Sequence, residues 1–140
     1  MKNMVSNTGK AFENKFRNWH KGLNCMTFKF PDYASTGTLQ KAICDRVTIT
    51  SSGVYWFECK HTESKTSFSV GLIKPYQWAN MMYLEQLGQK PFFVIEDGNH
   101  NVYMLSPTML WWTTKKKKSI KFKEIRKFVI NKKKFIETFI

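Results

Sequence analysis

Two β-rich runs, Arg46–Thr50 (RVTIT) and residues 54–60 (VYWFECK), stand on either side of Ser51-Ser52-Gly53, a pattern that predicts a hairpin. A hairpin dictates which residues meet, because the start of its first strand lies beside the end of its second. Asp45, just before the first run, is thereby brought next to Glu58, near the end of the second. Side chains two apart on a strand share a face, so Lys60 projects on the same side as Glu58. Two carboxylates and an ammonium converge at one edge of a sheet.

The other elements follow from periodicity. Phe12, Phe16 and Trp19 recur at helical spacing, which predicts an amphipathic helix from Asn7 or Thr8 to about His20, ended by Gly22. Met26, Phe28 and Phe30 alternate with polar residues as a strand with one buried face would, closed by Pro31. Residues 31–44 mix Pro, Gly, Ser and Thr without period and read as a short excursion from the domain. After a polar stretch at 61–66, a second helix runs from Lys74 or Pro75 to Leu87 and stops at Gly88. Residues 92–96 and Val102–Leu105 flank Asp97-Gly98-Asn99-His100 as a second hairpin, and Pro107 opens a short helix through Trp112. This order predicts an α/β fold, a mixed central β-sheet flanked by helices.

At 140 residues the chain has the length of one domain, and we expect residues 1–140 to form it. A content of 42% hydrophobic and 16% aromatic residues excludes a disordered chain. No run approaches the roughly 20 apolar residues of a membrane span, and the N-terminus lacks the apolar region of a signal peptide. A cytoplasmic protein is expected. Cys25, Cys44 and Cys59 show no CxxC pairing and suggest neither a disulfide scaffold nor a zinc site.

Charge names the partner class. The net charge is +13, and residues 115–134 hold eleven basic residues against one acid, Glu124. This run is interleaved with Ile120, Phe122, Ile125, Phe128 and further apolar residues, which a solvated tail would not need. An ordered basic face against a phosphate backbone is expected, with Lys115, Lys116, Lys117, Lys118, Lys121, Lys123, Arg126 and Lys127 as DNA-binding residues. Converging carboxylates suit Mg²⁺, with Mn²⁺ as a substitute, and a nearby lysine can position water and stabilise charge in phosphoryl transfer. Taken alone, Glu-x-Lys at a strand end is also the pattern of an ordinary solvated charge pair. His20, His61 and His100 are scattered without ligand spacing and read as surface or structural residues. Trp111 and Trp112 read as core or dimer interface, or less simply as a platform for base stacking.

The pattern Asp45-x12-Glu58-Cys59-Lys60 resembles the PD-(D/E)xK nuclease signature, with Cys44 in the usual proline position. Pro31-Asp32 is a rival literal match; Asp45 is preferred because it directly precedes the hairpin strand. The chain is similar in particular to the RecU-type Holliday junction resolvases. Asn7-Thr8-Gly9-Lys10-Ala11-Phe12-Glu13 resembles their N-x-G-x-x-x-E, and Glu58-Cys59-Lys60-His61-Thr62 their E-A-K-x-T. Lys65-Thr66-Ser67-Phe68 matches K-T-S-F, and Lys118-Ser119-Ile120 a K-S-I near the C-terminus. Gln77 matches a glutamine that follows the active-site strand.

The resemblance implies a restriction-endonuclease-like fold and a homodimeric, metal-dependent endonuclease that nicks four-way DNA junctions. It implies that Asp45, Glu58 and Glu13 hold the metal, that Lys60 assists the water, and that Gln77 belongs to the active site. It also marks a departure: these resolvases carry a long stalk before the catalytic aspartate, for which only residues 31–44 are available here. No organic cofactor is expected. The residues themselves leave open a non-catalytic basic DNA-binding protein, or a nuclease acting on ordinary duplex or flap DNA.

Overall fold

The computed structural model describes residues 4–31 and 41–140. In chain order the elements are α1 (Met4–Asn18), β1 (Cys25–Lys29), β2 (Arg46–Thr50), β3 (Gly53–His61), β4 (Ser67–Ser69), α2 (Pro75–Gln86), β5 (Lys90–Glu96) and β6 (Val102–Leu105). They continue with α3 (Pro107–Thr114), β7 (Ser119–Lys121), a 3₁₀ stretch (Phe122–Phe128), β8 (Val129–Ile130) and α4 (Lys132–Phe139). Among the described residues six strands form one sheet in the order β1-β2-β3-β5-β6-β8, and β4 pairs with β7 as a separate ribbon.

The expected hairpin is the middle of this sheet. β2 and β3 pair antiparallel with Arg46 opposite Phe57 and Thr50 opposite Gly53, so the turn is Ser51-Ser52. Gly53 takes φ 149°, a conformation side-chain-bearing residues rarely adopt. On its other edge β3 runs parallel to β5, reached by a crossover through α2. β3 is therefore covered on both faces, which its composition requires: Tyr55 and Phe57 go to one side and Trp56 to the other.

On the first side lie α1 and α4. Phe12, Phe16 and Trp19 meet Tyr55, Phe57, Phe135 and Phe139 in a nearly all-aromatic layer, with the Phe16 and Phe57 rings 4.9 Å apart edge to face. Burial of such a side chain contributes about 1.5 to 3 kcal/mol. On the second side α2, α3 and the small ribbon close over Phe93, Ile95, Tyr103 and Leu105. The apolar residues of the basic run belong to this architecture: Ile120, Phe122, Ile125, Phe135 and Phe139 are buried while the lysines between them are exposed.

Several expectations need correction. α1 opens at Met4, ahead of Asn7 and Thr8. β1 exists, but its apolar face is outside: Met26 is 59% exposed and Phe28 47%. The inward position is polar, with the Thr27 hydroxyl 3.0 Å from that of Thr48 and accepting from the Arg46 guanidinium. Once that cluster occupied the inner face, the alternation could only point Met26 and Phe28 to solvent. Trp111 and Trp112 are exposed, which removes the core reading, although the Trp111 ring meets Trp78 edge-on at 5.5 Å. The short strands β4, β7 and β8 and the helix α4 add to the expected element order. Asp32 and most of the 31–44 excursion lie outside the described residues.

Candidate active site

Asp45 sits one residue before β2 but continues its ladder. Its amide donates to the Phe57 carbonyl at 3.1 Å and its carbonyl accepts from the Phe30 amide at 3.0 Å, which fixes the backbone on both sides. The register then sets Asp45 across from Glu58, where side chains share a face. Asp45 Oδ2 accepts from the Cys59 amide at 2.7 Å. Glu58 is 4% exposed, and its Oε2 accepts from Gln77 Nε2 at 3.1 Å and lies 3.7 Å from Lys60 Nζ.

Gln77 reaches Glu58 because of where α2 begins. Pro75 starts the helix, Gln77 stands in its first turn, and its Oε1 accepts from the Lys74 amide at 2.9 Å. One amide group thus closes the helix N-terminus and holds the glutamate. The hairpin pattern brings Asp45, Glu58 and Lys60 to one place and the resemblance adds Gln77; in the structure the four stand together.

Electrostatics distinguishes this cluster from a surface charge pair. Burial pushes Glu58 up to about 9, the Asp45 charge adds to the shift, and Lys60 opposes it only in part. Asp45 is likewise raised, first by burial, against the Cys59 hydrogen bond that lowers it. Two desolvated carboxylates side by side cannot both ionise without a further cation beyond Lys60. All-oxygen donors with a charge deficit of this kind fit a hard divalent cation.

Glu13 stands at the margin. Its carboxyl is raised by burial and then by the Asp45 charge, but its Oε1 is 3.6 Å from Lys29 Nζ, a partner that sequence reasoning missed. Among the described residues no three Asp, Glu, His or Cys side chains form a group that could hold a metal ion as they stand. Lys29 could have been found only from the register, which sets it opposite Arg46 and next to the start of the β2–β3 hairpin.

The basic residues are exposed but divide into different settings. Lys115 and Lys116 end α3 with positive φ, Lys117 pairs with Glu124 at 3.5 Å, and Lys127 lies over the Phe128 ring. Lys121, Lys123 and Arg126 line a cleft, and Lys118 adjoins the β4–β7 ribbon, its carbonyl accepting from the Val70 amide. Of the histidines, His20 is buried and structural, with its ring bonded to the Phe16 carbonyl and the Thr48 hydroxyl. His61 and a buried acid that sequence reasoning missed, Glu96, form a network on the face of the sheet opposite Glu58. The missed signal was an acid ending the apolar run of β5.

No curated protein matches the chain at a significant level. The crystal structure of Hjc from Archaeoglobus fulgidus, a Holliday junction resolvase from an archaeal hyperthermophile, superposes with a TM-score of 0.62 at 10% identity. The superposition covers 95% of this chain and 98% of that one, and it gives the chain the restriction-endonuclease-like fold of Hjc. The family model RecU, recombination protein U, matches residues 27–140, which takes in the chain from Thr27 in β1 through α4, and α1 with Glu13 precedes the match. With that match over most of its length, the chain belongs to the RecU family of Holliday junction resolvases.

Proposed function

We propose that the chain resolves four-way DNA junctions by paired hydrolysis of phosphodiesters at the Asp45, Glu58, Lys60 cluster. The observation that carries this reading is the carboxylate pair set by hairpin register, Glu58 buried and Asp45 half-buried, with Lys60 and Gln77 both directed at one oxygen of Glu58. Asp45 and Glu58 would hold the ion, with Glu13 on α1 as the adjoining carboxylate. Divalent-metal dependence goes with the family; Mg²⁺, with Mn²⁺ as a substitute, is our assignment. Bound there, the ion supplies Lewis-acid stabilisation of the phosphoryl oxygens and lowers the pKa of a water.

The side chains of the protein do the rest. Lys60, its side chain mostly buried beside Glu58, orients a water or a phosphate oxygen by hydrogen bonding and compensates charge that develops there. Gln77 fixes the rotamer of Glu58 through a bond anchored in the α2 N-terminus. The Cys59 amide does the same for Asp45. Residues 1–140 act as one nuclease domain, and the basic segment at 115–134 grips the DNA.

Resolution of a junction takes two cuts on opposing strands. A two-fold substrate is served by an isologous dimer, which sets one cluster at each scissile phosphate. Exposed Trp111 and Trp112 on α3 offer apolar surface for such an interface. The test is cleavage of a synthetic four-way junction with and without Mg²⁺, beside a linear duplex, with sedimentation of the free protein. Cleavage confined to the junction, needing the ion, by a dimer is expected. A monomer that nicks linear duplex as fast as the junction would reject the reading.

A further inference from the structure

Two sequence motifs remain without a role in the carboxylate site: Lys65-Thr66-Ser67-Phe68 and Lys118-Ser119-Ile120. The fold brings them together. β4 and β7 pair antiparallel with Ser67 opposite Lys121 and Ser69 opposite Ser119. Phe68 and Ile120 are fully buried, so strand alternation turns Ser67 and Lys121 away from the core. Beside them opens a cleft of about 630 Å³ lined by Lys65, Lys121, Lys123 and Arg126 together with Ser67 and Ser119.

The cleft is held rigidly. The Phe122 amide donates to the Thr66 carbonyl at 2.9 Å, and Phe122 stacks on Tyr103 with ring centres 5.0 Å apart. On the other wall the Gly98 amide donates to the Ser64 carbonyl at 2.8 Å. A Cβ at Gly98 would run into the Glu63 carbonyl, so only glycine lets the β5–β6 turn seat against the segment that carries Lys65.

Its charge is uncompensated. Among the described residues none of the four cations has a carboxylate within ion-pair distance, whereas neighbouring Lys117 has Glu124. The acid in the lining, Asp97, is buried with both oxygens committed. Oδ1 accepts from the Asn99 and Asn101 amides, and Oδ2 from Asn101 Nδ2 and the Tyr103 hydroxyl. Four free cations with outward hydroxyls on rigid elements are the chemistry of phosphate recognition.

We propose that this cleft between the β4–β7 ribbon and the β5–β6 turn anchors backbone phosphates of a duplex arm, apart from the scissile phosphate. The inference rests on the resolvase reading and deepens it. It selects Lys121, Lys123 and Arg126 from the basic run and adds Lys65, which lies outside that run. Lys132 and Lys133, equally basic, line no part of the cleft.

The experiment measures affinity of the full chain for an immobile four-way junction in chelator across a salt series. Combined K121Q, K123Q and R126Q should flatten the slope of log affinity against log salt by about 2 to 3, at about 0.9 per phosphate contact. Lys65→Gln alone should lower it by up to roughly 0.9. Combined K10Q, R17Q and K21Q, which remove the same charge from exposed sites outside both the cleft and the basic segment, should change it far less. Equal slopes in the two triple variants would overturn the anchor while a wild-type chain that still cuts the junction upholds the parent reading. A wild-type chain that neither binds nor cuts the junction would sink both. If inorganic phosphate raises the melting temperature of the wild type but not of Lys65→Gln, and junction binding is the same in both, the cleft takes a small anion and the DNA anchor is wrong.

Discussion

Two buried glutamates on neighbouring parallel strands have opposite fates. Glu58 on β3 and Glu96 on β5 are 4% and 3% exposed. Glu96 faces α1 and is satisfied: Lys15 Nζ lies 2.7 Å from Oε2, and His61 Nδ1 lies 2.6 Å from Oε1. His61 also reaches Glu63 at 2.9 Å, so that network closes on itself. Glu58 faces α2, where its cation stands at 3.7 Å and the charge of a second carboxylate, Asp45, outweighs it. A buried acid whose oxygens are met by a cation and an imidazole holds a fold together. A buried acid set beside a second acid is costly to the fold and leaves room for a cation from outside.

The sharpest way to break this contrast is to neutralise each glutamate in turn. Glu58→Gln should reduce ion-dependent junction cleavage roughly a thousandfold or more while raising stability without the ion by about 1 to 3 kcal/mol at pH 8. Glu96→Gln should do the reverse, costing roughly 2 to 4 kcal/mol because Lys15 and His61 lose their partner. Cleavage per folded molecule should survive it. Cleavage assays paired with denaturant titrations decide the matter, and equal activity losses would abolish the distinction.

A smaller effect should appear on adding the ion alone. Mg²⁺ or Mn²⁺ at about a hundred times its dissociation constant stabilises by about 2.7 kcal/mol, a few degrees in melting temperature. Wild type and Glu96→Gln should show that rise, and Asp45→Asn should not. Scanning calorimetry with and without chelator reads it directly.

Acidity offers a third comparison. Glu58 has a folded pKa near 9 against an ordinary 4.5, so between these values the folded chain holds a proton that the unfolded chain has released. Stability without the ion should therefore be greatest toward pH 4.5 and fall as pH rises toward 9. Glu58→Gln should flatten that slope in urea titrations run across the range. An unchanged slope would assign it to other groups.

These two acids also show what was legible in the sequence. Asp45, Glu58 and Lys60 could be placed because a tight hairpin is local: its turn fixes the register, and the register fixes the faces. Glu96 could not, because its partners come from α1 and from the neighbouring strand β3, and no local pattern relates them. The same limit explains β1, whose alternation was right and whose face was wrong. Which side is inner depends on Arg46 and Thr48 on the next strand. The basic run was rightly read as anchored by buried Ile120, Phe122 and Phe135. Its division into ribbon, 3₁₀ turn and helix was not legible, since β7 takes its shape from pairing with the distant β4.

The finest probe of the carboxylate site is Gln77, whose two amide atoms do different work. Oε1 closes the α2 N-terminus by accepting from Lys74, and Nε2 donates to Glu58. Gln77→Ala removes both and should cost about 1 kcal/mol of stability and about tenfold in cleavage rate. Gln77→Glu keeps an acceptor for the Lys74 amide, in a first helical turn where negative charge is favoured. It loses the donor and sets a third carboxylate against Glu58. If positioning of Glu58 is the role, the two variants should lose activity alike while only the alanine weakens the helix terminus. Wild-type cleavage by Gln77→Glu would reduce Gln77 to a helix cap and leave Lys60 as the group that orients Glu58.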